Sequence, residues 1–178
     1  MKKLEIDQQA PDFALPGVDG KDHSLSKFKD KRVVVVVFTC NHCPYVQAYE
    51  DRLIGLQRMF APRGVQFIAI NANESAGYPE DSFDNMVRRA TRRNYNFPYL
   101  RDETQRVAQA YGARYTPEAF VLNSKFRVRY IGRIDDNWQH PAKVKSHDLR
   151  NAIEAVLEHK KVENPVTHAI GSIIKWKL

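Results

Sequence analysis

The run Val33-Val34-Val35-Val36-Val37-Phe38 constrains this chain more than any other segment. It holds no polar residue at alternate positions, so the strand it predicts has both faces covered. Its β-branched side chains suit a pleated, buried backbone. A helical pattern follows, in which Val46, Tyr49, Leu53, Leu56 and Phe60 recur at spacings of three and four. Pro44 stands at the start of that helix, where first-turn amides have no intrahelical acceptor and a missing N–H costs little. Pro62-Arg63-Gly64 ends the helix, and Val65 to Ile70 reads as a second strand. Strand, helix and strand in that order predict a right-handed β-α-β unit with parallel strands.

Other segments build around this unit. Pro11 to Asp22 predicts a short hairpin turning at Asp19-Gly20. Lys27 to Asp30 predicts a helical turn. Asp81 to Arg93 predicts a helix with Phe83, Met86, Val87 and Ala90 inward, and Phe97 to Leu100 an extended segment. Thr104 to Tyr111 predicts a helix stopped by Gly112. Ala119–Leu122 and Arg127–Ile134 predict two strands around Asn123-Ser124-Lys125. Ser146 is positioned to cap a last helix carrying Leu149, Ile153, Val156 and Leu157. Asn164 to Leu178 is expected to be irregular and packed on the domain. The fold class is therefore α/β: a central mixed β-sheet flanked by helices, with an N-terminal β-hairpin extension. A chain of 178 residues suits one domain over 1–178, including the tail 162–178.

The balance of 28 basic against 21 acidic residues favours an acidic partner or protein substrate. The densest basic cluster, Arg88-Arg89-Ala90-Thr91-Arg92-Arg93, reads as a solvated helix face, and no nucleic-acid partner is expected. Lys2 and Lys3 precede no apolar stretch, so no signal peptide is read at the N-terminus. No apolar run approaches membrane-spanning length. A cytoplasmic location without membrane contact is expected. In a reducing compartment a close cysteine pair is catalytic, redox-sensing or metal-binding rather than a structural bridge.

The chain has two cysteines, in Cys40-Asn41-His42-Cys43, at the junction of strand and helix. A helix N-terminus favours negative charge and hence thiolate over thiol. One thiolate can attack a disulfide while the second thiol, two residues away, resolves the mixed disulfide. Cys40 is expected to be nearer the helix N-terminus and the more exposed, which makes it the nucleophile and Cys43 the resolving thiol. A cationic His42 would stabilise the thiolate and make the disulfide the better oxidant. A structural zinc needs four ligands, and His23, His140, His147, His159 and His168 supply no second pair at finger-like spacing. No metal and no cofactor are expected.

Several segments together resemble the thioredoxin-like redoxin group, the alkyl hydroperoxide reductase/thiol-specific antioxidant superfamily. They are Ala10-Pro11-Asp12-Phe13-Ala14-Leu15, Asp19-Gly20-Lys21 with Ser24-Leu25, Phe38-Thr39-Cys40-Asn41-His42-Cys43-Pro44-Tyr45 and Tyr115-Thr116-Pro117-Glu118. The chain is most similar to a subgroup of thiol-disulfide oxidoreductases carrying Cys-Asn-His-Cys-Pro. The resemblance implies a thioredoxin-like fold and a disulfide-containing protein or small-molecule substrate, with a thiol reductant as second partner. It further implies that Pro117 is cis and faces the dithiol, and that Thr116 offers backbone groups to an extended substrate. Thr39 stands where thioredoxins often carry tryptophan. Ser172 takes a position where the subgroup often has a third cysteine, so chemistry using a third thiol is absent. Glu74 and Asp102 are candidates for a buried proton acceptor, although each also reads as a loop carboxylate.

The same resemblance supports a rival reading, a peroxiredoxin-like thiol peroxidase with antioxidant activity and Cys43 as its peroxide-reactive cysteine. That family's Pro-x-x-x-Thr-x-x-Cys framework is broken here, because Val36 and Cys40 replace the proline and threonine. Disulfide exchange is therefore preferred. A third reading is a non-catalytic binding module whose cysteine pair senses redox state.

Overall fold

The computed structural model describes residues 2–178. Strands β1 (Ala14–Pro16) and β2 (Asp22–Ser24) pair antiparallel as the expected hairpin. Gly20 takes φ +82° in its turn, a left-handed conformation that favours glycine. A 3-10 turn over Leu25–Phe28 leads to β3 (Val33–Thr39), α1 (Pro44–Phe60) and β4 (Val65–Asn71). Then come α2 (Phe83–Arg93), β5 (Tyr99–Arg101), α3 (Arg106–Tyr111), β6 (Tyr115–Thr116), β7 (Glu118–Asn123) and β8 (Val128–Gly132). Helix α4 (Asp148–Leu157) and β9 (Ser172–Ile173) complete the order.

The central sheet runs β5-β4-β3-β7-β8. Strand β3 pairs parallel with β4 and antiparallel with β7, so the sheet is mixed. The valine run explains the layering. Val34, Val36 and Phe38 pack with Ile68, Ile70, Phe120 and Tyr111 on the face that α3 covers. Val33, Val35 and Val37 pack with Phe67, Val121, Tyr49 and Ile153 on the face that α1 and α4 cover. Full burial of each such aliphatic side chain is worth roughly 1.5–3 kcal/mol, so this one strand anchors both cores. Among the described residues no helix is long and apolar enough to cross a membrane.

Three local expectations change. Helix α2 starts at Phe83, because the Ser82 hydroxyl accepts from the Asn85 amide at 3.2 Å and makes Ser82 the N-cap. Asp81 is thereby left in the preceding 3-10 turn, free of the helix. At α4 the N-cap is His147, and the Ser146 hydroxyl donates to the Asp148 carboxylate at 2.8 Å instead of capping an amide. The tail is not wholly irregular: β9 pairs antiparallel with β6, with Thr116 opposite Ser172. A two-residue strand is too short to show a period in sequence.

Candidate active site

Two connections converge on the end of β3. The chain leaves β3 at Thr39, passes through Cys40, Asn41 and His42, and enters α1 with Cys43 as the N-cap residue. Strand β7 pairs antiparallel with β3, with Glu118 opposite Phe38. Continuing that register brings the preceding Thr116-Pro117 segment to the end of β3, beside the cysteines. The Thr116–Pro117 peptide bond is cis. The Thr116 hydroxyl lies 3.5 Å from the Cys40 sulfur, and the Thr116 carbonyl oxygen lies 3.8 Å from the Cys43 sulfur. Neither cysteine is in a disulfide.

A third segment reaches the same place. The Ser172 hydroxyl lies 2.9 Å from the Cys43 sulfur. Gly171 before it packs against the Thr116–Pro117 peptide so closely that a Cβ there would fall 2.3 Å from the Thr116 carbonyl oxygen. Only glycine allows this approach.

The electrostatics of the two thiols differ. Cys43 is brought down to about 5, first by a hydrogen bond from Cys40, then by Ser172 and the Val46 and Tyr45 amides, against the opposing effect of burial. Those amides belong to the first turn of α1, which has no carbonyl partners for them. Cys40 is pushed well above the usual thiol value, first because its proton is held in the bond to Cys43, then by burial and by the charge of Asp81. The two shifts run in opposite directions and favour negative charge on Cys43 over Cys40. This corrects the expected placement. Cys40 is 1% exposed and Cys43 4%, so Cys40 is not the more accessible, and it is Cys43 that caps the helix.

Asp81 is the group that sequence reasoning missed. It is buried, and its carboxylate accepts from the Asn41 amide at 2.6 Å, from Asn71 at 3.1 Å and from Asn73 at 3.0 Å. Tyr99 donates to the Asn41 side-chain oxygen at 2.7 Å. This network fixes the Cys-x-x-Cys loop from behind. In sequence Asp81 looks like an ordinary first-turn helix acid; its burial depends on Ser82 taking the cap.

The remaining candidates separate. Thr39 is buried and lies opposite Asn71 in the β3–β4 register. His42 is exposed, with no hydrogen bond among the described residues. Glu74 accepts from the amides of Ala76 and Gly77 and closes its own turn. Asp102 accepts from the Ala108 amide at 2.9 Å at the start of α3, and burial raises its carboxyl. Neither acid bonds to a thiol, so neither is placed as a proton acceptor for the pair. Among the described residues no three His, Cys, Asp or Glu side chains gather as a metal would need.

Residues 6–131 match the AhpC/TSA family. The crystal structure of an uncharacterized conserved protein from Geobacillus kaustophilus is similar at 40% identity and a TM-score of 0.92, covering 97% of this chain and 93% of that one. The thiol-disulfide oxidoreductase ResA of Geobacillus thermodenitrificans is 26% identical over 130 residues, 72% of this chain and 69% of its own. A thiol:disulfide interchange protein of the thioredoxin family from Chlorobium tepidum shares the fold, with a TM-score of 0.66 at 20% identity, covering 88% of this chain and 99% of that one.

Proposed function

Because the chain belongs to the AhpC/TSA family, we propose that its Cys40–Cys43 pair makes it a thiol-disulfide oxidoreductase. One observation carries this reading: both sulfurs converge on Thr116, beside the cis Thr116–Pro117 bond. The likeness to ResA supports it.

In the proposed step the Cys43 thiolate attacks one sulfur of a substrate disulfide. The substrate S–S bond breaks, its other sulfur leaves as thiolate, and a mixed disulfide forms. Cys40 then gives up its proton to the departing thiolate and attacks Cys43. This releases the second substrate thiolate, which takes a proton from water. The substrate gains two electrons and two protons, and the chain holds a Cys40–Cys43 disulfide. A thiol reductant returns the pair to dithiol; in the opposite direction the disulfide oxidises a dithiol substrate. The order of attack reverses the sequence expectation, and its support is the place of Cys43 at the N-cap of α1 together with its lowered thiol.

Turnover of an insulin-like or small disulfide with a thiol donor tests the reading. Cys43→Ser should abolish the first covalent step, while Cys40→Ser should trap the mixed disulfide on Cys43. Trapping by Cys43→Ser instead would return the attacking role to Cys40. Failure of the wild-type pair to cycle between dithiol and disulfide would reject disulfide exchange altogether.

A thiol peroxidase centred on Cys43 is the second reading. The lowered thiol at a helix N-cap favours it, since a thiolate is the form that attacks peroxide. Cys40 in place of the polarising threonine weighs against it. Hydroperoxide consumption that survives Cys40→Ser and disappears in Cys43→Ser would support it.

A further inference from the structure

We propose that Ser172, carried in by the tail, is a catalytic hydrogen-bond donor to the Cys43 sulfur. The inference rests on Cys43 being the thiolate of the pair. A thiolate has only lone pairs, so the hydroxyl at 2.9 Å must donate. A donor fixed in advance at the sulfur favours its charge both when Cys43 attacks and when it leaves, without reorganisation at that moment.

The donor is held by the tertiary structure. Thr116 lies opposite Ser172 in the β6–β9 pair, and the Ile174 amide donates to the Arg114 carbonyl at 2.9 Å. Ile174 is buried against the same core as Phe38 and Phe120, whereas Ile173 points outward. Past the strand, the Lys175 amide donates to the Asn73 side chain at 2.9 Å, and the Glu74 amide donates to the Lys175 carbonyl at 2.8 Å. The buried Gln105 side chain donates to that carbonyl at 2.9 Å and accepts from the Lys177 amide at 3.0 Å. Ser172 is thus clamped on both sides, by Gly171 against the cis peptide and by residues 174–177 against the ends of β4 and α3. A side chain that only filled space would need no such aim at a single sulfur.

The test uses the full chain with Cys40→Ser, which leaves one thiol and keeps a hydroxyl donor beside it. Thiolate absorbance is followed against pH, with circular dichroism to verify folding. Adding Ser172→Ala should move the Cys43 ionisation midpoint up by about one pH unit, since loss of one such bond is worth about a tenfold change in the equilibrium. Alkylation by iodoacetamide below the original midpoint should slow by about the same factor. Ser172→Thr, which keeps the hydroxyl, should restore both. An unmoved midpoint, or a shift that threonine fails to rescue, overturns the proposal. The readout needs no disulfide turnover, so an inactive wild type would reject the exchange reading without deciding this one.

Discussion

Thr116 and Ser172 face one another across the β6–β9 pair, so the chain's own strand already pairs the backbone beside the dithiol. The residue that the family resemblance assigns to substrate pairing is thereby occupied, and both cysteines are buried beneath it. An extended substrate adding a strand at this edge has to take the place of β9 or bind alongside it.

That relationship makes Gly171 critical. In Gly171→Ala the new Cβ would sit 2.3 Å from the Thr116 carbonyl oxygen, a backbone atom that cannot swing away. The tail must lift, at a cost of roughly 1–3 kcal/mol of stability. Chemical denaturation should show the loss, and both cysteines should alkylate faster in the native state. Unchanged stability with unchanged thiol access would contradict this packing.

The opposite shifts of the two thiols give the reduced chain a distinctive pH profile. The unfolded thiols both titrate near 9.0, while folded Cys43 titrates at about 5. Between these values the unfolded chain binds the Cys43 proton and the folded chain does not, so stability rises with pH. Cys43's contribution is complete above 9.0 and disappears as pH falls through about 5. Cys40 acts in the other sense. Above 9.0 the unfolded thiol ionises while the folded one keeps its proton, and stability falls. Urea melts of reduced chain, referenced to the disulfide form that lacks both thiols, should give a difference that peaks near pH 9. A flat difference would refute the opposite shifts of the two thiols.

Asp81→Asn should destabilise the chain and alter Cys40. The carboxylate accepts from three donors, and an amide in its place turns an N–H₂ toward Asn71 or Asn73. Leaving one such buried donor unpaired costs about 1–3 kcal/mol. The same change removes a negative charge that holds the Cys40 proton on. Alkylation of Cys40 in a Cys43→Ser background should therefore set in at lower pH. A variant that unfolds early but leaves that pH profile unmoved would confine Asp81 to structure.

His42 is exposed, so any influence on the pair acts through solvent-screened charge. His42→Ala should make the pair more reducing by about 30 mV at most, equivalent to a tenfold change in the exchange equilibrium. The potential can be read by equilibration against glutathione. No shift at all would remove His42 from the tuning of the site.

Much of this molecule is determined by local sequence. The valine run fixes a strand covered on both faces, because every one of its side chains must leave water. The helical spacing from Val46 to Phe60 fixes α1, and the cysteines must then lie where β3 hands over to that helix. The spacing admits a dithiol, and the absence of further ligands at finger-like spacing together with the family resemblance favours it over a metal site. The division of labour within the pair does not follow from local sequence. Cys43 is the N-cap because of how the Cys40–His42 loop is held, and that depends on Asp81, which Ser82 leaves outside its helix. The Ser172 hydroxyl reaches the sulfur through a two-residue strand too short to carry a pattern, made possible by a glycine that fits against a peptide 54 residues earlier in the chain. Periodicity and propensity describe neighbours along the chain. The bias of negative charge toward Cys43 comes first from its neighbour Cys40 and the first-turn amides, but the Ser172 donor and the Asp81 charge come from distant segments that only the folded structure brings together.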